Sequence, residues 1–329
     1  MHNILESRHL FSFFRFHLID LVKICAGCSV VVLVFSWNSV QEFPLNLRNK
    51  NCSTKQNTIE EELFYTHPEH PEIKGRPFSG IKTKKAKTVF EKYLNSAEIG
   101  FEAISNLGLP QPVTAISANH FLEHRQSIES FWKLWPEDTK VLIYNLGDLK
   151  RDQIEFLNNS TRKYIYREYN YDSYPEHCKW LDNMCFKLMI VSECLTEFRA
   201  CLWMDSSIVM TESPEKLVDD FVISRKSSFV YYVHPTKHST AWATHPIMFS
   251  YLPSNISKFN NLDFYDADSS QNSPFYMSQA GAIILYNTHD LKHGIFKYAL
   301  ACALTSECLM PSYELDAKVD YHIGQKHPN

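Results

Sequence analysis

The sequence predicts a Rossmann-like α/β domain with a mainly parallel sheet flanked by helices, preceded by one N-terminal transmembrane helix. Three observations support this prediction. Short apolar strand candidates alternate with helix candidates four times between residues 113 and 205, which is the pattern of a parallel sheet with helices on both faces. The chain has 329 residues, 44% of them hydrophobic, so it can bury a sizeable core. Fourteen consecutive residues near the amino terminus, Ile24–Trp37, carry no charge.

Residues 18–37 are predicted to be a transmembrane signal-anchor, with residues 1–17 as a cytosolic tail. The last seventeen residues of this segment reach roughly 25 Å as a helix, slightly less than a typical hydrocarbon core. Three basic residues lie in or before it, whereas the next one beyond it is Arg48, so the positive-inside rule places the rest of the chain in the lumen. This predicts a single-pass type II protein of the Golgi or ER membrane. A cleaved signal peptide, with Val34 and Ser36 as cleavage positions, and a buried core helix are the alternatives.

Cysteine usage and glycosylation sequons agree with a lumenal location. Seven of the nine cysteines lie beyond the apolar segment, which suits an oxidising compartment. Cys302 and Cys308 are the best local disulfide candidates, provided that the helix carrying Cys302 ends between them. The four cysteines between residues 178 and 201 are spaced by seven to nine residues, too far apart for a bridge if both partners lie on one helix. Because seven is an odd number, at least one thiol is predicted to be free or paired with another chain. Sequons begin at Asn51, Asn158, Asn159 and Asn255.

Composition excludes several classes of function. A net charge of −4 gives no electrostatic case for binding nucleic acid. Only 9 glycines occur, and neither a GxGxxG nor a Walker pattern is present, which disfavours nicotinamide, flavin and P-loop chemistry. Beyond the predicted signal-anchor the sequence contains no CxxC either, and we predict no structural zinc site.

The remainder of the chain divides into a stem and a globular domain. Residues 38–87 are polar, charged and interrupted by prolines, which predicts an extended lumenal stem, and residues 88–329 form the predicted domain. Apolar residues recur at intervals of three and four from about residue 86 to 107, which predicts an amphipathic helix ended by Gly108 and Pro110. The predicted strands are 113–118, 140–146, 163–169, 201–204, 229–233 and 282–286, and the predicted later helices are 121–134, a polar helix after 148, 183–198 and 291–304.

Asp205 is the most informative residue of the chain. It is the first charge after the apolar run 201–204, which predicts a buried parallel strand that delivers Asp205 to its carboxyl end. Open α/β sheets bind ligands in the crevice outside the carboxyl ends of their strands. A carboxylate there can bind a metal–diphosphate or act as a base. The alternative is an ordinary strand-end Asp in a turn or helix cap.

Four βα units, a carboxylate after the fourth strand, the lack of a Gly-rich loop and a type II anchor together resemble a glycosyltransferase of the GT-A fold. In that fold an Asp-x-Asp after the fourth strand holds a divalent cation on the diphosphate of a nucleotide sugar. Here the triplet is Asp205-Ser206-Ser207, and a serine hydroxyl is a weaker ligand for a hard cation than a carboxylate. The resemblance implies a nucleotide-sugar donor, with Mn²⁺ or Mg²⁺ at Asp205 left open.

A closer resemblance rests on six motifs between residues 112 and 311. These are Thr114–Phe121 (TAISANHF), Leu142–Gly147 (LIYNLG), Leu202–Ile208 (LWMDSSI), Thr244–Met248 (THPIM), Gln279–Ala282 (QAGA) and Cys302–Cys308 (CALTSEC). In this order they resemble a nematode family known chiefly as a domain of unknown function, which is itself usually read as glycosyltransferase-like. Its members continue into a segment with a His-Arg-x-Asp-Gln type motif, whereas this sequence ends at Asn329. A truncated or inactive copy is therefore one expectation.

Three residues are expected on the donor side of such a site. Ser117 and Asn119, in the first βα loop, would contact the nucleotide base and ribose, because this loop lies beside the fourth strand in the usual 3-2-1-4 order of the fold. A helix cap by either residue is the alternative. Lys187, on the helix before the fourth strand, would pair with the diphosphate or with Asp205, unless it is a solvated surface lysine.

Three further residues complete the predicted site. Ser207 stands in place of the second carboxylate on the donor side. Gly281 is expected where the backbone approaches the sugar, because only glycine leaves room there, and a simple strand-entry glycine is the alternative. His245 is the candidate base on the acceptor side, although a histidine beside Pro246 also fits a structural role.

The predicted function is transfer of a sugar from a nucleotide-sugar donor to an unknown glycan or glycoprotein acceptor in the lumen. Departure of the nucleoside diphosphate would be assisted by Asp205, with or without a divalent cation. A catalytically inactive lumenal protein that binds glycans or partners is the alternative, because the second carboxylate is missing. A methyltransferase-like Rossmann domain is disfavoured, since Ser-Ala-Asn-His (117–120) stands where a Gly-rich turn is expected.

Overall fold

The structure is a computed structural model in which seven segments are described. No helix within these segments is long and apolar enough to cross a membrane. The predicted signal-anchor at residues 18–37 and residues 38–61 of the predicted stem lie outside them. The described segments are 62–67, 70–160, 164–231, 235–239, 245–253, 276–278 and 281–310.

The described residues form eight strands. They are β1 (Gln111–Ile116), β2 (Val141–Asn145), β3 (Tyr164–Glu168), β4 (Ala200–Met204), β5 (Phe229–Tyr231), β6 (Pro235–Ser239), β7 (Tyr276–Ser278) and β8 (Ala282–Tyr286). Six of them form one sheet in the order β3-β2-β1-β4-β8-β5. The first four strands are parallel and take the expected 3-2-1-4 order, whereas β8 runs antiparallel to both β4 and β5. Strands β6 and β7 form a separate antiparallel pair.

Helices connect the strands and cover the sheet. The α-helices of the described segments are α1 (Lys84–Leu94), α2 (Ile104–Leu107), α3 (Phe121–Trp132), α4 (Arg151–Asn159), α5 (Cys185–Phe198), α6 (Pro214–Leu217), α7 (Pro246–Tyr251), α8 (Lys297–Ala303) and α9 (Ser306–Leu309). Two π-helical segments, Val218–Ile223 and Asp290–Phe296, follow α6 and precede α8. Short 3₁₀ turns span Ser79–Lys82, Phe101–Ala103, Ala118–His120, Tyr171–Ser173, Glu176–Lys179 and Leu181–Asn183.

Both faces of the sheet are buried. Successive residues of β4 alternate between two core clusters, with Trp203 in the cluster that contains residues of α1, α5 and α8. Leu202 and Met204 belong to the cluster that contains residues of α3 and α4. A strand that is covered on both faces has no solvent side, which explains why the predicted strands are continuous apolar runs.

The packed domain begins earlier than the predicted boundary at residue 88. Phe78 and Ile81, inside the predicted stem, are each 1% exposed and lie in the core. Between them, Gly80 lies so close to the end of α8 that an added Cβ would stand 2.3 Å from the carbonyl oxygen of Leu304. Phe78 and Ile81 stand among prolines and charged residues and show no helix or strand period. Their packing in the core could therefore not be predicted from the sequence pattern.

The predicted helix over residues 86–107 is broken in its middle. Helix α1 ends at Leu94, Ile99 forms a parallel bridge with Thr288, and helix resumes only in the short α2. The physical reason is that Phe90 packs on one face of the sheet whereas Ile104 packs on the other. One straight helix cannot bury both residues, although their spacing in the sequence suits a single helix.

Two disulfides are present in the described segments. Cys302 and Cys308 are bridged with their Cα atoms 5.2 Å apart, and α8 ends between them as that pairing requires. The bridge between Cys178 and Cys185 was not predicted, and its Cα atoms are 5.0 Å apart. Cys178 lies in a 3₁₀ turn before α5, so the two residues are not on one helix. The described thiols of Cys194 and Cys201 are free and buried.

A buried histidine makes the stability of this fold dependent on pH. His124 on α3 is 1% exposed, and burial lowers its pKa from the ordinary value of 6.5 to about 4. Between pH 6.5 and 4 the imidazole of His124 is therefore protonated in the unfolded chain but stays neutral in the folded chain. The free energy of unfolding consequently falls as the pH drops from 6.5 to 4. A pKa difference of about 2.5 corresponds to about 3 kcal/mol.

We expect His124→Gln to weaken the pH dependence of the free energy of unfolding, measured by urea unfolding. The exposed control His120→Gln should show the same pH dependence as the wild type. Parallel pH profiles for the wild type and His124→Gln would contradict the prediction.

Candidate active site at the carboxyl end of β4

Asp205 directly follows β4, at the edge of the sheet where the parallel strands end. Its backbone N–H donates to the carbonyl of Gly281 at 2.7 Å, one step beyond the Met204–Ala282 pair of the β4–β8 ladder. Its own carbonyl accepts from the N–H of Ile208 at 3.0 Å, which closes a tight turn. The side chain is 39% exposed. The backbone of Asp205 is thus held firmly while its carboxylate stays accessible.

Two donors hold one oxygen of this carboxylate. The Nζ atom of Lys187 lies 2.8 Å from Oδ1 of Asp205, and Trp203 donates from Nε1 to the same oxygen at 2.7 Å. Trp203 precedes Asp205 by two residues, so the strand places both side chains on one face. The ammonium of Lys187 also lies 5.3 Å from the centre of the Trp203 ring. We call Asp205, Lys187, Trp203 and Gly281 the Asp205 cluster.

Gly281 belongs to this cluster because of a close approach. A Cβ atom added to it would stand 2.9 Å from Cδ1 of Ile208 and 3.6 Å from Oδ2 of Asp205. A side chain here would press on the turn and reach the carboxylate oxygen that Lys187 and Trp203 leave open. The glycine therefore keeps this side of Asp205 clear, and its contact with a sugar stays a prediction.

Ser117 and Asn119 lie at the carboxyl end of β1, the neighbour of β4 in the sheet. The hydroxyl of Ser117 donates to Oδ1 of Asn119 at 2.5 Å. The N–H of Ala118, between them, donates to Oδ1 of Asp148 at 2.8 Å. This loop is therefore fixed by the loop that follows β2, and neither side chain caps a helix. No contact in the described part of the chain joins Ser117 or Asn119 to Asp205, so their donor-binding role stays a prediction.

The other two predicted site residues are not brought into the Asp205 cluster. Ser207 is exposed in the turn after β4. The Nδ1 atom of His245 accepts from the N–H of Ile247 at 3.2 Å and so caps α7, which is the structural role left open for it. Of the predicted glycosylation sites, Asn158 and Asn159 are exposed on α4. Asn51 and Asn255 lie outside the described residues.

Among the described residues, the side chains at this edge fit a divalent cation poorly. Asp205 offers a single carboxylate, and Ser207 offers only a neutral hydroxyl where a second carboxylate would stand. The ammonium of Lys187, 2.8 Å from the carboxylate, would repel a second cation at this oxygen. Among these residues, the positive charge beside Asp205 is the ammonium of Lys187.

The sequence analysis missed Trp203 as a site residue. It could have been found from its spacing, because residues two apart in a strand lie on the same face and Trp203 precedes Asp205 by two residues. Two cavities formed by described residues, of about 150 and 450 Å³, lie away from Asp205. The smaller one is lined by Tyr174 and Glu193 among others, and the larger one by residues at the amino ends of β1 and β4.

Comparison with known families gives one match. A family profile described as "Protein of unknown function (DUF1647)" matches residues 50–192. This range includes β1, β2 and β3 and ends within α5, past Lys187. No curated protein matches the sequence.

Similar solved structures are glycosyltransferases. The apo structure of the bifunctional glycosyltransferase WbbM has 13% identity and a TM-score of 0.38, with 61% of this chain and 37% of WbbM covered. The galactosyltransferase LgtC, solved with donor and acceptor sugar analogs, has 13% identity and a TM-score of 0.34, with 57% of this chain and 61% of LgtC covered. The mannosyltransferase Ktr4p from S. cerevisiae has 10% identity and a TM-score of 0.37, with 67% of this chain and 70% of Ktr4p covered. The chain thus spans less than two thirds of WbbM and of LgtC.

Proposed function

We propose that this chain is a lumenal glycosyltransferase of the nematode-type family described above, which transfers a sugar from a nucleotide-sugar donor to a glycan or glycoprotein acceptor. The observation that carries the proposal is the Asp205 cluster. It places a fixed carboxylate and an ammonium side by side at the carboxyl end of β4, the edge at which sheets of this kind bind ligands. The resemblance of the sequence to the GT-A fold supports the same edge.

Lys187 is the group through which Asp205 would act on the donor. A carboxylate alone repels a diphosphate, whereas the ammonium that it holds attracts one. In the transfer, an acceptor hydroxyl oxygen bonds to the anomeric carbon and the bond from that carbon to the phosphate oxygen breaks. The hydroxyl proton passes to water or to the departing diphosphate. The electron pair goes to the departing nucleoside diphosphate, and Lys187 stabilises the negative charge that develops there. Asp205 and Trp203 are positioning residues for the ammonium in this scheme.

The chain is proposed to be a single-pass type II protein of the Golgi or ER membrane, anchored by residues 18–37. The two disulfides support this location, because such bridges persist in oxidising compartments. The exposure of Asn158 and Asn159 is also compatible with glycosylation in the lumen.

Donor turnover by the full chain in mild detergent tests the function. We expect slow hydrolysis or transfer from at least one member of a panel of UDP- and GDP-sugars, without added metal. Asp205→Asn should lower that turnover by about a hundredfold, the scale of removing one preorganised electrostatic group. Asp219→Asn, at an exposed position on the π-helical segment after α6, should leave it unchanged. Equal turnover in Asp205→Asn and the wild type would remove Asp205 from the mechanism.

A catalytically inactive binding protein is the second candidate, and two observations favour it. Ser207 stands where a second carboxylate would be expected, and Lys187 and Trp203 both contact the same oxygen of the one carboxylate present. Calorimetric binding of a nucleotide sugar or a glycan, with no product across the whole donor panel, would support this candidate over the first.

A further inference from the structure

A second group of reactive side chains lies at the opposite end of the sheet from Asp205. Because β8 is antiparallel to β4, it begins beside Asp205 and ends with Tyr286 opposite Ala200. His289 and His293 follow Tyr286 by three and seven residues, at the amino-terminal edge of the parallel strands. These histidines take no part in the proposed transfer.

The carboxylate of Glu98 lies between the two imidazoles. Its Oε2 atom is 3.2 Å from Nδ1 of His289, and its Oε1 atom is 2.8 Å from Nε2 of His293. The three ligand atoms all lie within 4.8 Å of one another. The centres of the imidazole rings are 4.6 Å apart, because the helical turn from His289 to His293 places residues four apart on one face.

The backbone holds these three residues together from two distant parts of the chain. Glu98 follows α1, and the next residue, Ile99, forms a parallel bridge with Thr288, directly before His289. Glu98 and His289 are 191 residues apart in the sequence. The fold therefore brings the backbones of Glu98 and His289 together, and their side chains meet at the surface, where that of His289 is 71% exposed.

We infer that Glu98, His289 and His293 form a zinc site that leaves a fourth position open to water. Two imidazoles and one carboxylate are a known ligand set of open zinc sites. Bonds of about 2.0–2.1 Å to a tetrahedral zinc ion separate its ligand atoms by about 3.3 Å. The two observed separations, 2.8 and 3.2 Å to the two oxygens of Glu98, lie within about half an ångström of that value. All three ligand atoms lie within 4.8 Å of one another, so rotation of these side chains would bring them to one ion. The prediction of no structural zinc site considered cysteine spacing, which could not detect these residues.

The positive charge of Lys292 would repel a zinc ion at this site and so lower the affinity of the site for zinc. Its Nζ atom lies 3.5 Å from Oε1 of Glu98, and it donates to the carbonyl of Ser96 at 2.5 Å. The side chain is 1% exposed, so its charge is held close to the proposed site.

The metal would act on the fold and not on the transfer chemistry. It would join the segment after α1 to the π-helical segment after β8. The site lies near the amino end of β4, whereas Asp205 follows the carboxyl end of that strand. A ligand that binds only the folded chain raises its stability. We therefore expect added zinc to raise the melting temperature of the full chain.

Metal titration of the chelator-treated full chain tests this inference. Calorimetry with ZnCl₂, without reductant so that Cys178 and Cys185 stay bridged, should show one site per chain. His293→Ala should weaken zinc binding at least tenfold, and the removal of the opposing charge in Lys292→Met should tighten it several-fold. The control His120→Ala, taken from a histidine that pairs with Glu123 alone at 2.8 Å, should bind zinc like the wild type.

Bound Co²⁺ provides a second measurement that does not depend on folding stability. Its visible absorption should show the intense bands of tetrahedral coordination in the wild type and lose them in His289→Gln. Absence of zinc binding to the wild type would overturn the inference. So would equal zinc affinity in the wild type, His293→Ala and His289→Gln, because the metal would then lie elsewhere.

Discussion

Trp203→Ala is expected to lower the free energy of unfolding by about 3–5 kcal/mol, the cost of removing a large buried aromatic side chain. Trp203 is 1% exposed and lies in the core cluster that joins β4 to α1, α5 and α8. A loss of this size is a large part of the 5–15 kcal/mol that holds a typical domain folded. Urea unfolding followed by far-UV circular dichroism measures it.

Trp203→Phe separates packing from the hydrogen bond to Asp205. The phenyl ring keeps most of the buried contacts but cannot donate to Oδ1, so this variant should lose about 1–2 kcal/mol. Under the proposed function, Trp203→Phe should also lower donor turnover although the protein stays folded, because Trp203 no longer holds the carboxylate of Asp205. Unchanged urea midpoints in both variants would show that Trp203 is not the packing anchor of β4.

Lys187→Ala is expected to weaken nucleotide-sugar binding by about ten- to a hundredfold in metal-free buffer. A hydrogen bond to a charged group contributes about 1.5–3 kcal/mol, and Lys187 is the ammonium that the described residues place beside Asp205. Stability should fall modestly, because the side chains of Lys187 and Asp205 are 17% and 39% exposed and solvent screens the pair only in part. Isothermal calorimetry with the best donor of the panel measures the affinity.

The matched controls for this prediction are a charge-conserving variant and an exposed lysine. Lys187→Arg should retain part of the affinity, and Lys133→Ala, at an exposed position, should retain all of it. Added Mn²⁺ should restore some donor binding to Lys187→Ala, since the competing ammonium is gone, but should not improve the wild type. Donor affinity in Lys187→Ala equal to that of the wild type would exclude Lys187 from the donor site.

The candidate site could be predicted in part because one segment carries its central signal. An apolar run that ends at Asp205 indicates both a buried strand and the edge at which it stops, and the helix before it carries Lys187. The approach of Gly281 to Asp205 could not be predicted from the sequence, since it requires that β8 insert beside β4 in antiparallel register. The capping of α7 by His245 depends on one backbone N–H, which residue types alone cannot show.

The sequence by itself determined the six strands of the main sheet, the position of Asp205 at a strand end and the pairing candidate Cys302–Cys308. These features depend on neighbours in the chain, whose apolar period and spacing are readable directly. Only the tertiary structure decided that Phe78 joins the core, that Cys178 bridges Cys185, and that Glu98 meets His289 and His293. Those contacts depend on where the chain turns and which face of the sheet it reaches, and local patterns carry no information about a residue 191 positions away.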